Sequence, residues 1–62
     1  MALFDQLPKD PVMLLSFLNT QLRDHYSSLT DLSNALGLDE DETLLKMRSI
    51  NYEYDPGTNQ FI

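Results

Sequence analysis

Ser28-Leu29-Thr30-Asp31-Leu32-Ser33-Asn34-Ala35-Leu36-Gly37-Leu38-Asp39-Glu40-Asp41-Glu42 is the stretch that decides the fold. Ser28 is a good helix N-cap, and Asp31 follows at capping-box spacing. Leu29, Leu32 and Leu36 share one face of a helix over 28–36. Gly37 supplies a left-handed stop, and Leu38 folds back as the apolar contact that follows such a stop. Asp39, with Glu42 three residues on, opens a third helix over 39–51, whose Leu44, Met47 and Ile50 fall on one side while Leu45 lies off it. Two short helices joined by a glycine turn call for a third element to bury their leucines.

Upstream, residues 10–26 supply it. Asp10 is an N-cap and Pro11 suits the first helical position, where a missing N–H costs nothing. Leu14, Leu15, Leu18, Leu22 and Tyr26 form its apolar stripe, with Ser16, Asn19, Thr20, Arg23 and Asp24 mostly opposite. Met13 and Phe17 sit one turn apart on the polar side. Downstream, Tyr52-Glu53-Tyr54-Asp55 alternates as a half-buried strand does. Asp55-Pro56-Gly57-Thr58 is turn chemistry. Asn59-Gln60-Phe61-Ile62 returns as a second strand, and such a hairpin must pack on the helices to be stable. The expected fold is mainly α (small α+β): three short helices and a C-terminal β-hairpin, a reduced winged helix-turn-helix. The expected core is Leu14, Leu15, Leu18, Leu22, Leu29, Leu32, Leu36, Leu38, Leu44, Met47, Ile50, Tyr52, Tyr54 and Phe61.

The 62 residues make one small domain, 1–62, in which 1–9 (with Leu3, Phe4 and Leu7, closed by Pro8) is a lead segment. Hydrophobic residues make up 42%, enough for a core. Four Lys/Arg against ten Asp/Glu give a net charge of −6, which disfavours binding nucleic acid through overall charge. No cysteine is present for a disulfide or a thiolate metal site. The longest apolar run, Val12-Met13-Leu14-Leu15, is far short of a membrane span, and the N-terminus lacks the basic start of a signal peptide. The expectation is a cytoplasmic protein with no membrane association.

In a helix-turn-helix, Leu32, Leu36, Gly37 and Leu38 fit the first helix and turn. Thr43 stands where the next apolar residue belongs, and Leu44 comes one place later. The first turn of the would-be recognition helix is Asp39-Glu40-Asp41-Glu42, the end that faces phosphates in a DNA complex. Four carboxylates there repel a duplex, while at a helix N-terminus they interact well with the macrodipole. The run lacks the glycine and distant glutamate of a calcium loop. His25 lies beside Asp24, with Ser27 and Ser28 just after, but a catalytic triad needs fixed geometry in a cleft for which so small a domain has little room, and a partly exposed histidine near a helix C-terminus is the favoured reading. No phosphate loop or two-histidine metal motif is present. The reading is of a protein that is not an enzyme, with no catalytic, cofactor-binding or metal residues and no cofactor. Tyr52, Tyr54 and Phe61 could stack bases, but Glu53 and Asp55 interleave with the tyrosines, so core packing is favoured over base stacking.

Met13 and Phe17 are the candidate partner-binding residues: either the lead or hairpin covers them, or they form an apolar patch for a protein partner or a homodimer. Asn19 and Arg23 are a candidate structural polar pair, with Arg23 expected to lock the hairpin or the C-terminal carboxylate onto the first helix. The leading function is a protein–protein interaction module. The alternatives are a winged-helix DNA-associated regulator using Lys9, Arg23, Lys46 and Arg48, and an acidic nucleic-acid mimic using Asp39 to Glu42.

Leu7-Pro8-Lys9-Asp10-Pro11-Val12-Met13-Leu14-Leu15-Ser16, then Asn19, Leu22-Arg23-Asp24 and Tyr26, then Tyr52-Glu53-Tyr54 and Asn59-Gln60-Phe61, resemble a family of very short bacterial proteins defined as a domain of unknown function (number four-two-five-zero). The resemblance runs from about Leu7 to the end. It implies a stand-alone cytoplasmic bacterial protein with no assigned activity, and it carries over no catalytic or binding residues.

Overall fold

The computed structural model of the chain describes residues 7–62; the part of the lead that holds Leu3 and Phe4 lies outside the described residues. Three helices, α1 (Pro11–Asp24), α2 (Leu29–Leu36) and α3 (Glu40–Arg48), precede two antiparallel strands, β1 (Tyr54–Asp55) and β2 (Gln60–Phe61). Each helix starts as its local chemistry dictates. Asp10, Ser28 and Asp39 accept the N–H groups of Met13, Asp31 and Glu42 at 3.1, 3.0 and 3.1 Å. Each cap satisfies one of the donors that a helix N-terminus leaves without an intrahelical partner.

The helix ends are tighter than periodicity suggests. Helix α2 stops at Gly37, whose φ of 69° lies in the left-handed region, and the Leu38 N–H donates back to the Ser33 carbonyl. A Cβ at Gly37 would meet nothing within 4 Å, so Gly37→Ala costs backbone strain alone. That strain is about 1–2 kcal/mol, and the melting midpoint is expected to fall by roughly 5–10 °C. Gly37→Asn should fall less, because asparagine tolerates this conformation. A midpoint unchanged in the alanine variant would show that α2 ends without needing the left-handed residue.

Helix α3 ends at Arg48, short of the expected 39–51. Asn51 takes a left-handed φ of 67°. The Asn51 and Tyr52 N–H groups donate to the Arg48 and Met47 carbonyls, the paired bonds of a Schellman stop. Tyr52 therefore belongs to the cap of α3 and not to a strand. It is 37% exposed, a correction to its expected place in the core.

The core consists of Leu14, Leu18, Leu22, Leu29, Leu32, Met47 and Phe61, with Leu15, Phe17, Tyr26, Leu36, Leu38, Leu44 and Tyr54 packed against it. Ile50 is half-buried. Two polar residues, Ser33 and Thr43, are also buried. Thr43 takes the place that helix-turn-helix spacing assigns to an apolar residue, while Leu44 is only half-buried. The threonine is tolerated because its hydroxyl donates to the Asp39 carbonyl at 2.9 Å, one turn back. The buried side chain then carries no unpaired polar group.

In the hairpin Tyr54 pairs with Phe61 and Asp55 with Gln60. A further rung joins Glu53 and Ile62, each N–H donating to the other's carbonyl at 2.9 Å. The Tyr54 and Phe61 rings meet on the inner face with centroids 5.6 Å apart. The Asp55 carboxylate shapes the turn by accepting from the Gly57 N–H and the Thr58 hydroxyl at 3.1 and 2.9 Å.

Candidate interaction surface

Two asparagines fasten the hairpin to the helices. Asn19 faces the backbone of Phe61: its Oδ1 accepts the Phe61 N–H at 2.8 Å and its Nδ2 donates to the Phe61 carbonyl at 3.2 Å. The side-chain amide thus takes the place of a neighbouring strand. Asn59, at a left-handed φ of 55°, donates through Nδ2 to the Leu22 and Tyr26 carbonyls at 3.0 and 2.9 Å. Its Oδ1 accepts the Tyr54 hydroxyl at 2.6 Å, and the Tyr54 oxygen accepts the Leu29 N–H at 3.2 Å. An orphan carbonyl at the end of α1 and an orphan N–H at the start of α2 are thereby satisfied from the hairpin.

Arg23 does not join this arrangement. Its guanidinium pairs with the neighbouring Asp24 at 2.9 and 3.0 Å, and its side chain is 75% exposed, which corrects its expected role in locking the hairpin. The hydrogen bond from Arg23, more than its charge, holds the Asp24 carboxyl below its ordinary pKa, and the same bond raises that of Arg23. An acid with a lowered pKa stabilises above its unfolded pKa and loses that contribution as pH falls, but water screens this exposed pair. Arg23→Ala is therefore expected to leave the melting midpoint in place. Asn19→Ala, which strips two bonds from the backbone of the buried Phe61, should cost about 1–3 kcal/mol. Equal midpoints for the two variants would contradict the assignment of the lock to Asn19.

Met13 and Phe17 part company. Met13 is 63% exposed at the start of α1, whereas Phe17 is half-buried and packs against the core. The residues around His25 do not converge either: Asp24 holds Arg23, Ser27 donates to Asp31, and the Ser28 hydroxyl caps α2. Of the acidic run, Asp39 caps α3 and Glu40 accepts the Thr30 hydroxyl at 3.1 Å. Among the described residues no three His, Cys, Asp or Glu side chains are grouped to hold a metal ion. No helix among them is long and apolar enough to cross a membrane.

The surface that stands out is one that periodicity alone flags only through the off-stripe Leu45. Asp41, Leu45 and Arg48, at i, i+4 and i+7, form the outer stripe of α3. Leu45 is 64% exposed at its centre. Arg48 also lines a groove of about 570 Å³ between the end of α3 and the outer side of the hairpin, with Asn51, Glu53, Tyr54, Asp55 and Ile62. Ile62 is exposed at its rim. The stripe and the groove form a continuous surface with an apolar centre and charges of both signs, and nothing in it aligns a nucleophile with a base.

No curated protein matches the chain, and no solved structure matches it. The family model described as Domain of unknown function (DUF4250) matches residues 8–61, nearly the whole chain, and the protein belongs to that family.

Proposed function

We propose that this chain is a non-catalytic protein-interaction module that presents the outer face of α3 and the adjoining groove to a partner protein. The element order, three helices and then a hairpin, is that of a winged helix, and α3 stands where such a fold carries its recognition helix. One observation carries the reading: this face centres on the exposed Leu45, with Asp41 one turn before it and Glu42 beside it, in a helix whose first turn is wholly acidic. A phosphate backbone is bound by cations, and here only Lys46 and Arg48 are basic on α3. An exposed leucine ringed by charges suits an interface with another protein, in which an apolar centre sits inside a polar rim.

The test is a tagged pull-down from a lysate of the source cells, with and without nuclease, comparing the wild type with Leu45→Glu and Met13→Ser. The expected result is a stoichiometric protein that survives nuclease, is lost from Leu45→Glu and is kept by Met13→Ser, with circular dichroism showing equal helix in all three. A retained partner in Leu45→Glu would move the interface elsewhere. Nucleic acid recovered in place of protein would overturn the reading.

A further inference from the structure

We propose that the outer edge of β1 docks an extended basic segment of a partner protein, which adds as a third strand beside Tyr54. This rests on the interaction-module reading and names the kind of partner. In an antiparallel ladder, bonded and non-bonded pairs alternate. The Glu53–Ile62 rung exchanges both its bonds, so Tyr54 and Phe61 form a non-bonded pair. Their N–H and C=O groups point away from the ladder, on opposite edges. On the β2 edge Asn19 satisfies both groups of Phe61. On the β1 edge, among the described residues, nothing bonds the N–H or C=O of Tyr54. The Tyr54 ring is turned inward against Phe61, and the residue contributes to the groove bounded by Arg48, Asn51 and Ile62. One edge of this two-stranded sheet is closed by a side chain from α1, and the other opens into a groove. An extended peptide laid there makes two backbone bonds with Tyr54, the mode by which sheet edges bind strands.

The charges choose the occupant. Glu53 and Asp55 flank Tyr54 and belong to the face of the hairpin opposite its ring. A second copy paired across a two-fold axis at Tyr54 would set Glu53 against Asp55 of the other chain, twice. Like charges directly opposite are destabilising, and both copies carry a net charge of −6. A strand with Lys or Arg on either side of the residue facing Tyr54 turns both repulsions into attractions. The apolar side chain of Ile62 lies beside Glu53 on the same face, so aliphatic stems of long basic side chains have a surface to cover.

The probe is an acetylated heptapeptide alternating lysine and valine, added to the ¹⁵N-labelled 62-residue chain. Amide shifts and hydrogen exchange at Tyr54 are the readouts. The expected result is saturable binding, with exchange at the Tyr54 amide slowed about tenfold or more. The same peptide with glutamate for lysine should bind roughly tenfold or more weakly, and Glu53→Lys should narrow or reverse that preference. A lysine peptide N-methylated where it faces Tyr54 should not protect the amide. An unmoved Tyr54 amide at millimolar peptide, or equal binding of the lysine and glutamate peptides, would overturn the proposal. So would protection without peptide that fades on dilution, which would assign the edge to a second copy. If the peptide fails while a partner is still lost from Leu45→Glu in the pull-down, the interaction module stands and its partner uses only the α3 face. If Leu45→Glu loses no partner as well, the module reading falls too.

Discussion

Asn59→Ala is expected to lower the melting midpoint by about 10 °C or more, the largest effect of any polar substitution in this chain. The replacement removes both donations to the Leu22 and Tyr26 carbonyls and the acceptor of the Tyr54 hydroxyl. Three half-buried polar groups then lose a partner, at about 1–3 kcal/mol each where water cannot replace it. Alanine at φ 55° adds backbone strain of roughly 1 kcal/mol. Even the lower end of these losses, about 4 kcal/mol, is a large share of the ~3–9 kcal/mol that a chain of this size holds. Asn59→Gly should be milder than Asn59→Ala, since it relieves the strain and loses only the bonds. Tyr54→Phe removes the link to Leu29 as well as the one to Asn59, so Tyr54→Phe with Asn59→Ala should cost less than the two losses added. Thermal melts followed at 222 nm check the whole set. A midpoint for Asn59→Ala within ~3 °C of the wild type would mean that the hairpin is held by Phe61 and Asn19 alone.

What could be read from the sequence follows the range of the interactions involved. The helix starts are local: Asp10, Ser28 and Asp39 each bond three residues ahead, so their chemistry is written in four consecutive residues. The Gly37 stop is equally local, because glycine signals a left-handed φ. Asn51 does the same work with a residue that occurs in many other settings, and α3 reads too long as a result. Thr43 is passed over for a different reason. Hydrophobic periodicity weighs a leucine above a threonine, and only the bond to the Asp39 carbonyl shows how the threonine enters the core. The Asn59 network spans 37 residues to Leu22 in α1 and 33 to Tyr26 just beyond it, so no local pattern encodes it; the one hint is an asparagine at the end of a turn. The same distance hides the β1 edge. Which edge is left open is legible only once Asn19 is seen to close the other, and that bond spans 42 residues between α1 and the hairpin.

Leu32→Ala is expected to leave the chain mostly unfolded at 37 °C. Leu32 is wholly buried in the middle of α2, a helix of eight residues that is too short to persist without its packing. Truncation of a leucine at such a site costs about 2–5 kcal/mol, the sum of lost transfer energy and the cavity left behind. A larger domain absorbs that loss, but here it rivals the total of ~3–9 kcal/mol. Leu45→Ala makes the contrast within one residue type. Leu45 points into solvent, so its truncation should shift the midpoint by only a few degrees while weakening any partner that α3 holds. Leu32→Ile keeps the volume and should cost less than about 1.5 kcal/mol. Circular dichroism and the dispersion of amide NMR signals separate these outcomes. A cooperative melt for Leu32→Ala within ~5 °C of the wild type would require the core to close around the missing side chain. Close-packed interiors relax only in part around such a cavity, and a core with seven buried apolar side chains among the described residues has few neighbours to move.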